Sequence, residues 1–160
     1  LEPIVVGAYT DVAGAHHDIS LRYVAPWRER GLRVALTEAR RDELRRGLTL
    51  VGPHRDDLAI VLQSLPARTH ASQGEQRSLA LALRLASHRL LHEVTGAPPV
   101  LLLDDVFSEL DPDRSAALLR SLPVGQALLS TASGLPAGVE VAQRIEVRPG
   151  VSGTEVQSSG

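Results

Sequence analysis

Val100-Leu101-Leu102-Leu103-Asp104-Asp105 decides how the rest of this sequence is read. Four aliphatic residues in succession, introduced by Pro98-Pro99 and without polar alternation, are typical of a strand covered on both faces. Two carboxylates at its end are costly to bury and need a reason to be there. In an α/β sheet, the carboxyl ends of the strands are where ligands bind. Asp104 in that place suits a magnesium ion, held directly or through water. Asp105 suits the orientation or deprotonation of an attacking water. A strand running into an exposed acidic turn is the alternative, and these six residues alone leave both open.

Upstream, a long helix is expected from about Gln73 to His92, closed near Gly96. Leu79, Leu83, Ala86 and Leu90 form its apolar stripe, while Leu81, Leu85 and Leu91 fill other faces, so it is expected in an interior. Its start is Ser72-Gln73-Gly74-Glu75-Gln76-Arg77, in which Ser72 and Glu75 have capping-box spacing. Capping does not require Gly74. A glycine there lets a phosphate approach the backbone, where the helix terminus offers unpaired N–H groups and a favourable dipole. Cap and anion site both fit.

Downstream, Ser108-Glu109-Leu110-Asp111-Pro112 reads as a capped helix start, with Asp111 as N-cap and proline at the first helical position, running to about Leu122. Acids at 104, 105, 109, 111 and 113 crowd this region, which favours a metal or arginines from a neighbour. Gln126 to Ser130 reads as another buried strand and Val139 to Val147 as one or two edge strands. Residues 150–160, rich in glycine and serine, read as a disordered tail.

Before the long helix the signals are weaker. Residues 1 to 26 give no clear pattern, and residues 28 to 46 look helical, with Gly47 as the C′ residue. Between Arg22 and Arg46, eight arginines face four acids, a local balance of +4. This is either a solvated face laced with i,i+4 pairs or a phosphate-binding face, for which Arg40, Arg41, Arg45 and Arg46 are the candidates. Leu58 to Gln63 reads as a strand, Ser64-Leu65-Pro66 as a turn and Ala67 to Ala71 as a return strand. His54-Arg55, after Gly52-Pro53, is more often structural than functional on spacing alone, with Arg55 pairing Asp56, Asp57 or another acid, and both readings stay open. His16-His17 lacks partners at metal-ligand spacing and reads as loop. Alternating strands and helices favour an α/β architecture with a largely parallel sheet flanked by helices.

Composition narrows the options. The 160 residues carry 17 arginines, no lysine and 19 acids, for a net charge of −2. Zero cysteines exclude disulfides, thiolate metal sites and a cysteine nucleophile. Four aromatics (Tyr9, Tyr23, Trp27 and Phe107) are too few for stacking platforms along a nucleic acid strand. No apolar run approaches the ~18 residues of a membrane span. A P-loop needs a lysine on the β- and γ-phosphates, and there is none. Nucleotide chemistry would therefore require another chain or segment to hold most of the nucleotide, and the absence of an initiator methionine agrees with a fragment.

The order of these features is more specific than any one of them. A helix-tip anion site, a helix of about twenty residues, a strand ending in two aspartates and a capped Ser-x-Leu-Asp loop resemble the signature motif, Walker B and D-loop of an ABC-type ATPase head. Gly52 to Leu58, Ala71 to Leu79 and Leu102 to Asp111 closely resemble the bacterial RecF family of DNA replication and repair proteins. The similarity is strong from about Gly47 to Thr131 and weak before.

The resemblance implies the C-terminal half of an ABC-ATPase head over 48–149, preceded by the end of a helical lobe over 1–47. It implies ATP and Mg²⁺ as cofactors, with Asp104 at the metal and Asp105 catalytic. Ser72, Gln73, Gly74, Glu75 and Gln76 would meet the γ-phosphate of a partner's ATP. Ser108, Glu109, Leu110 and Asp111 would form the D-loop, and Thr131 stands where many ABC ATPases have a switch histidine. It further implies an ATP-dependent homodimer on single-stranded and gapped DNA in the bacterial cytoplasm, acting with RecO and RecR to load RecA, and no membrane. The alternatives are a non-catalytic interaction module, or a head of the SMC type, which normally has a long coiled coil before the signature motif.

Overall fold

Val5, Ala8, Tyr9 and Val12 recur at i, i+3, i+4 and i+7, the spacing of one helical face. In the computed structural model, which describes residues 1–132, 134–135, 139–150 and 153–159, all four are buried on the first helix, α1 (Glu2–Ala13). Strand β1 (Ile19–Val24) follows, then α2 (Leu32–Arg46), β2 (Asp57–Leu62), β3 (Leu65–Pro66) and a short helix, α3 (Ala67–His70). The long helix α4 (Gln73–Thr95) leads to β4 (Leu101–Asp104), α5 (Pro112–Ser121), β5 (Ala127–Ser130) and the hairpin β6 (Arg144–Gly150) with β7 (Gly153–Ser159). Ala67 to His70 is thus a helical turn, not the expected return strand. Residues 153–159 pair with β6, which corrects the expected disordered tail.

One core joins most of these elements. Tyr9 of α1, Leu62 of β2, Leu85 of α4, Leu103 of β4, Phe107 and Leu118 of α5 belong to a single buried cluster. α1 packs along α4 and against α5, and Arg89 of α4 reaches Asp11 of α1 at 3.0 Å. β1 pairs antiparallel with β2. Residues 1–24 therefore share the core of the later elements, and the expected boundary at residue 47 does not divide two packing units.

Parallel pairing, the mark of the expected α/β class, joins β4 to β5 with Asp104 opposite Ser130. The other two sheets among the described residues are antiparallel. Leu101 and Leu103 are buried, whereas Val100, Leu102 and Leu128 stay exposed. The expectation of a strand covered on both faces is corrected: alternate side chains of a pleated strand point to opposite faces, and only one face is covered here. α4 buries one stripe, including Ser78, Leu79, Ala82, Leu85 and Ala86, and leaves Leu91 exposed, so it flanks the core instead of crossing it. No helix among the described residues is long and apolar enough to cross a membrane.

Candidate functional site

Ser130 organises the carboxyl end of β4. Its hydroxyl donates a short hydrogen bond to Asp104 Oδ1 and accepts from the Asp105 amide at 3.2 Å, while its carbonyl accepts from the same amide at 3.0 Å. Parallel pairing puts Ser130 opposite Asp104, so this contact follows from sheet register. Asp105 then leaves the strand in the left-handed region, φ 48° and ψ 28°. That conformation costs a residue with a Cβ about 1–2 kcal/mol, and such outliers cluster at functional sites. The surroundings hold it there: Ser108 Oγ donates to the Asp105 carbonyl at 2.8 Å, and residues 106–109 turn in a 3₁₀ helix. Both aspartates are exposed at this edge.

The tip of α4 carries a capping box. Ser72 Oγ accepts from the Glu75 amide at 3.3 Å, and Glu75 Oε2 accepts from the Ser72 amide at 2.7 Å, the reciprocal pair that the spacing indicates. Hydrogen bonding from the Ser72 side chain and backbone amide holds the Glu75 carboxyl below the usual carboxylate range, with attraction from His17 and Arg114 adding to it. Gln76 Nε2 donates to the Ala71 carbonyl at 2.9 Å.

Asp111 caps α5 by accepting from the Arg114 amide at 2.8 Å, and the Arg114 guanidinium stands 3.5 Å from its other oxygen. That guanidinium lies over Gly74: a Cβ at position 74 would collide with Arg114 Nη1 and stand 3.4 Å from Cζ. The expected acid-rich cluster thus has an arginine of its own, and Arg114 is a site residue that sequence reading missed. Its only signal was a position three residues after the N-cap.

The structure thus links Ser130, Asp104, Asp105 and Ser108 at one edge, and joins Asp111 through Arg114 to Gly74. Gln73 begins α4, and Leu110 follows the 3₁₀ turn. Thr131 Oγ1 donates to the Gly134 carbonyl at 3.3 Å, directly after β5. Ser133 and the Glu109 side chain lie outside the described residues. Arg40, Arg41, Arg45 and Arg46 are exposed along α2, and Arg45 pairs with Asp42 at 3.0 Å. Arg55 does not pair with an acid as expected. Its Nε and Nη2 both donate to the Thr49 carbonyl, at 2.9 and 2.7 Å. His54 Nε2 lies 2.8 Å from Thr49 Oγ1, and Asp56 accepts from Trp27 Nε1 at 2.7 Å, so this loop is knitted to its own neighbourhood.

No group of three or more His, Asp or Glu among the described residues could hold a metal by itself. A single carboxylate does fit Mg²⁺, which keeps several waters and is commonly bound by one or two carboxylates together with substrate phosphates.

Known proteins share much of this sequence and its fold. The chain is 47% identical over 131 residues to the DNA replication and repair protein RecF of Geobacter sulfurreducens, covering 76% of the chain and 36% of that protein. With RecF of Frankia alni it is 48% identical over 147 residues, covering 83% and 39%. It belongs to the RecF family. A solved structure of the recombination mediator protein RecF-ATP in the RecFOR pathway superimposes with a TM-score of 0.69 at 28% identity, over 99% of the chain and 43% of the RecF chain. The corresponding RecF-ATPrS structure gives 0.68 at 28%, over 89% and 40%. The chain spans about two fifths of the length of these curated RecF relatives. The fold is accordingly the C-terminal part of an ABC-type head. No family model matches the chain.

Proposed function

We propose that this chain is the part of a RecF-type DNA repair ATPase that closes over a nucleotide held by a second copy. The observation that carries the reading is the contact chain at the β4 edge, where Ser130 fixes Asp104 and a left-handed Asp105 turns the backbone toward Ser108. Asp104 would hold Mg²⁺, which when bound neutralises charge on the β- and γ-phosphates. Asp105 would orient or deprotonate the attacking water. Ser72 and Gly74, with Gln73, Glu75 and Gln76, would face the partner's γ-phosphate, and Ser108 to Asp111 would align the two heads. Thr131, beside Asp104's strand partner, would sense the nucleotide state.

Closure would bring two arginine-rich surfaces together on DNA, with Arg40, Arg41, Arg45 and Arg46 making phosphate contacts. The role is then ATP-dependent assembly at single-strand gaps in the bacterial cytoplasm, acting with RecO and RecR to load RecA during recombinational repair and the SOS response. The family membership and the RecF-ATP likeness support this reading.

The test is Asp105→Asn in a full-length RecF protein carrying this segment. ATP-driven dimerisation should persist while turnover falls by about 10²–10⁴. Turnover equal to the parent's would remove Asp105 from the chemistry.

A further inference from the structure

Arg114 stands between two motifs the proposed mechanism treats separately. Its backbone amide and its Nε both approach the Asp111 carboxylate, at 2.8 and 3.5 Å, while its Nη atoms extend from α5 across to the first turn of α4. There the guanidinium occupies the space that a Cβ at position 74 would take, so a side chain at 74 would displace this flexible end from the α4 tip. Glycine is a poor choice for the first turn of a helix on propensity alone, since alanine is about 1 kcal/mol better in a helix interior. A residue without a Cβ lets the Arg114 guanidinium approach the α4 backbone closely here.

Charge points the same way. The α4 tip carries the Glu75 carboxylate in its capping box, and the α5 start carries Asp111 and Asp113. An incoming phosphate would meet three carboxylates, and the Arg114 cation sits between two of them. A lysine could not replace it. A compact ammonium is a single point of charge and cannot turn one donor edge toward Gly74 while keeping another beside Asp111, whereas a planar fork can.

We propose that Arg114 is a positioning residue that clamps the Ser108–Asp111 segment to the Ser72–Gly74 tip, so that the two close on a partner's nucleotide as a single unit. This rests on the trans-nucleotide reading above. Gly74 is then kept for Arg114 as well as for phosphate access.

The experiment uses a full-length RecF protein carrying this segment, with Arg114→Gln, Arg114→Lys, Gly74→Ala and the Arg114→Gln/Gly74→Ala pair. The first readout is amide hydrogen exchange without nucleotide. Arg114→Gln should speed exchange at residues 72–76 and 105–111 together, and unchanged exchange at either segment overturns the clamp. The second is dimerisation with ATP by sedimentation, set against ATP affinity of the monomer. Arg114→Gln and Gly74→Ala should each weaken the dimer by about tenfold with monomer affinity unmoved, and because coupled sites are non-additive the pair should cost clearly less than the product of the two effects. Arg114→Lys should not rescue. If Gly74→Ala costs as much in the Arg114→Gln background as in the parent, Gly74 serves phosphate alone and the clamp is wrong. A parent that shows the coupled exchange but never dimerises with ATP would retain the clamp and refute the nucleotide reading.

Discussion

Helices α2 and α4 end alike and live differently. Each stops at a left-handed glycine, Gly47 at φ 67° and Gly96 at φ 75°, whose amide returns to a carbonyl one turn back. α4 begins with a reciprocal capping box and buries a continuous stripe, while α2 begins at Gly31 without a side-chain cap and buries only Ala35 and Glu43. Packing specifies α4. Local backbone preference and charge pairs such as Arg45 with Asp42 specify α2, and such pairs are worth only a few tenths of a kcal/mol each. Helical form alone does not report how firmly a helix is held. The firmly held helix presents the candidate nucleotide contacts, and the loosely held one presents the candidate DNA contacts.

The sharpest way to break this contrast is Leu85→Ala. Leu85 is fully buried in the cluster shared by α1, α4 and α5. Truncation should cost about 2–5 kcal/mol, through lost burial and the cavity left behind. Urea unfolding would measure it, and a loss below about 1 kcal/mol would show that α4 is no better anchored than an ordinary surface helix.

A smaller effect sharpens the account of the α4 tip. The Glu75 carboxyl is held below its usual range, chiefly by hydrogen bonds from Ser72. A depressed folded value means that the contribution is present above the unfolded value of about 4.3 and is lost as pH falls through the folded value. Glu75→Gln keeps an acceptor for the Ser72 amide and removes only the charge. Parent and variant should therefore differ in stability near pH 7 and converge as the pH falls through the lowered Glu75 value, with the parent the more stable at the higher pH. A difference independent of pH would mean that the charge contributes nothing.

How much of this was visible in the sequence follows the same division. The boundaries of α4, its capping box, the Asp111-Pro112 start and the strand ending in Asp104 carry local signals and were readable. α1 was not read, although Val5, Ala8, Tyr9 and Val12 have helical spacing, because Gly7 and the β-branched Ile4-Val5-Val6 argue locally against a helix that packing on α4 overrides. The turn of α3 is too short to show any period. Residues 153–159 are polar enough to pass for a tail, and their pairing with β6 is non-local. At the site, Asp104, Asp105, Ser72 and Gly74 were legible as residue types in a pattern. Ser130's hold on Asp104 needed sheet register, and Arg114's place over Gly74 needed the packing of two helices. Arg55 was misassigned because an acid in the next position is an easier guess than a carbonyl six residues back.

The smallest expected change in stability lies on α2, and it tests the contrast from the other side. Arg40 and Arg41 are exposed, and neither contributes to the buried cluster. Reversing both to glutamate alters the local charge pattern without a clear net cost. At position 41 the new acid gains Arg45 four residues on and loses Glu38 three residues back, and the pair effects are a few tenths of a kcal/mol in each direction. The melting midpoint should therefore stay within the range of ordinary surface substitutions, about 0.5 kcal/mol either way. DNA affinity should respond quite differently. Each lost phosphate contact removes about 0.9 from the slope of log K against log salt, so two contacts should flatten it by roughly 2. Such flattening in fluorescence titrations over a salt series, with an unmoved midpoint, assigns α2 to binding and not to folding. An unchanged slope would leave it a solvated arm, and the basic face would have to be sought elsewhere.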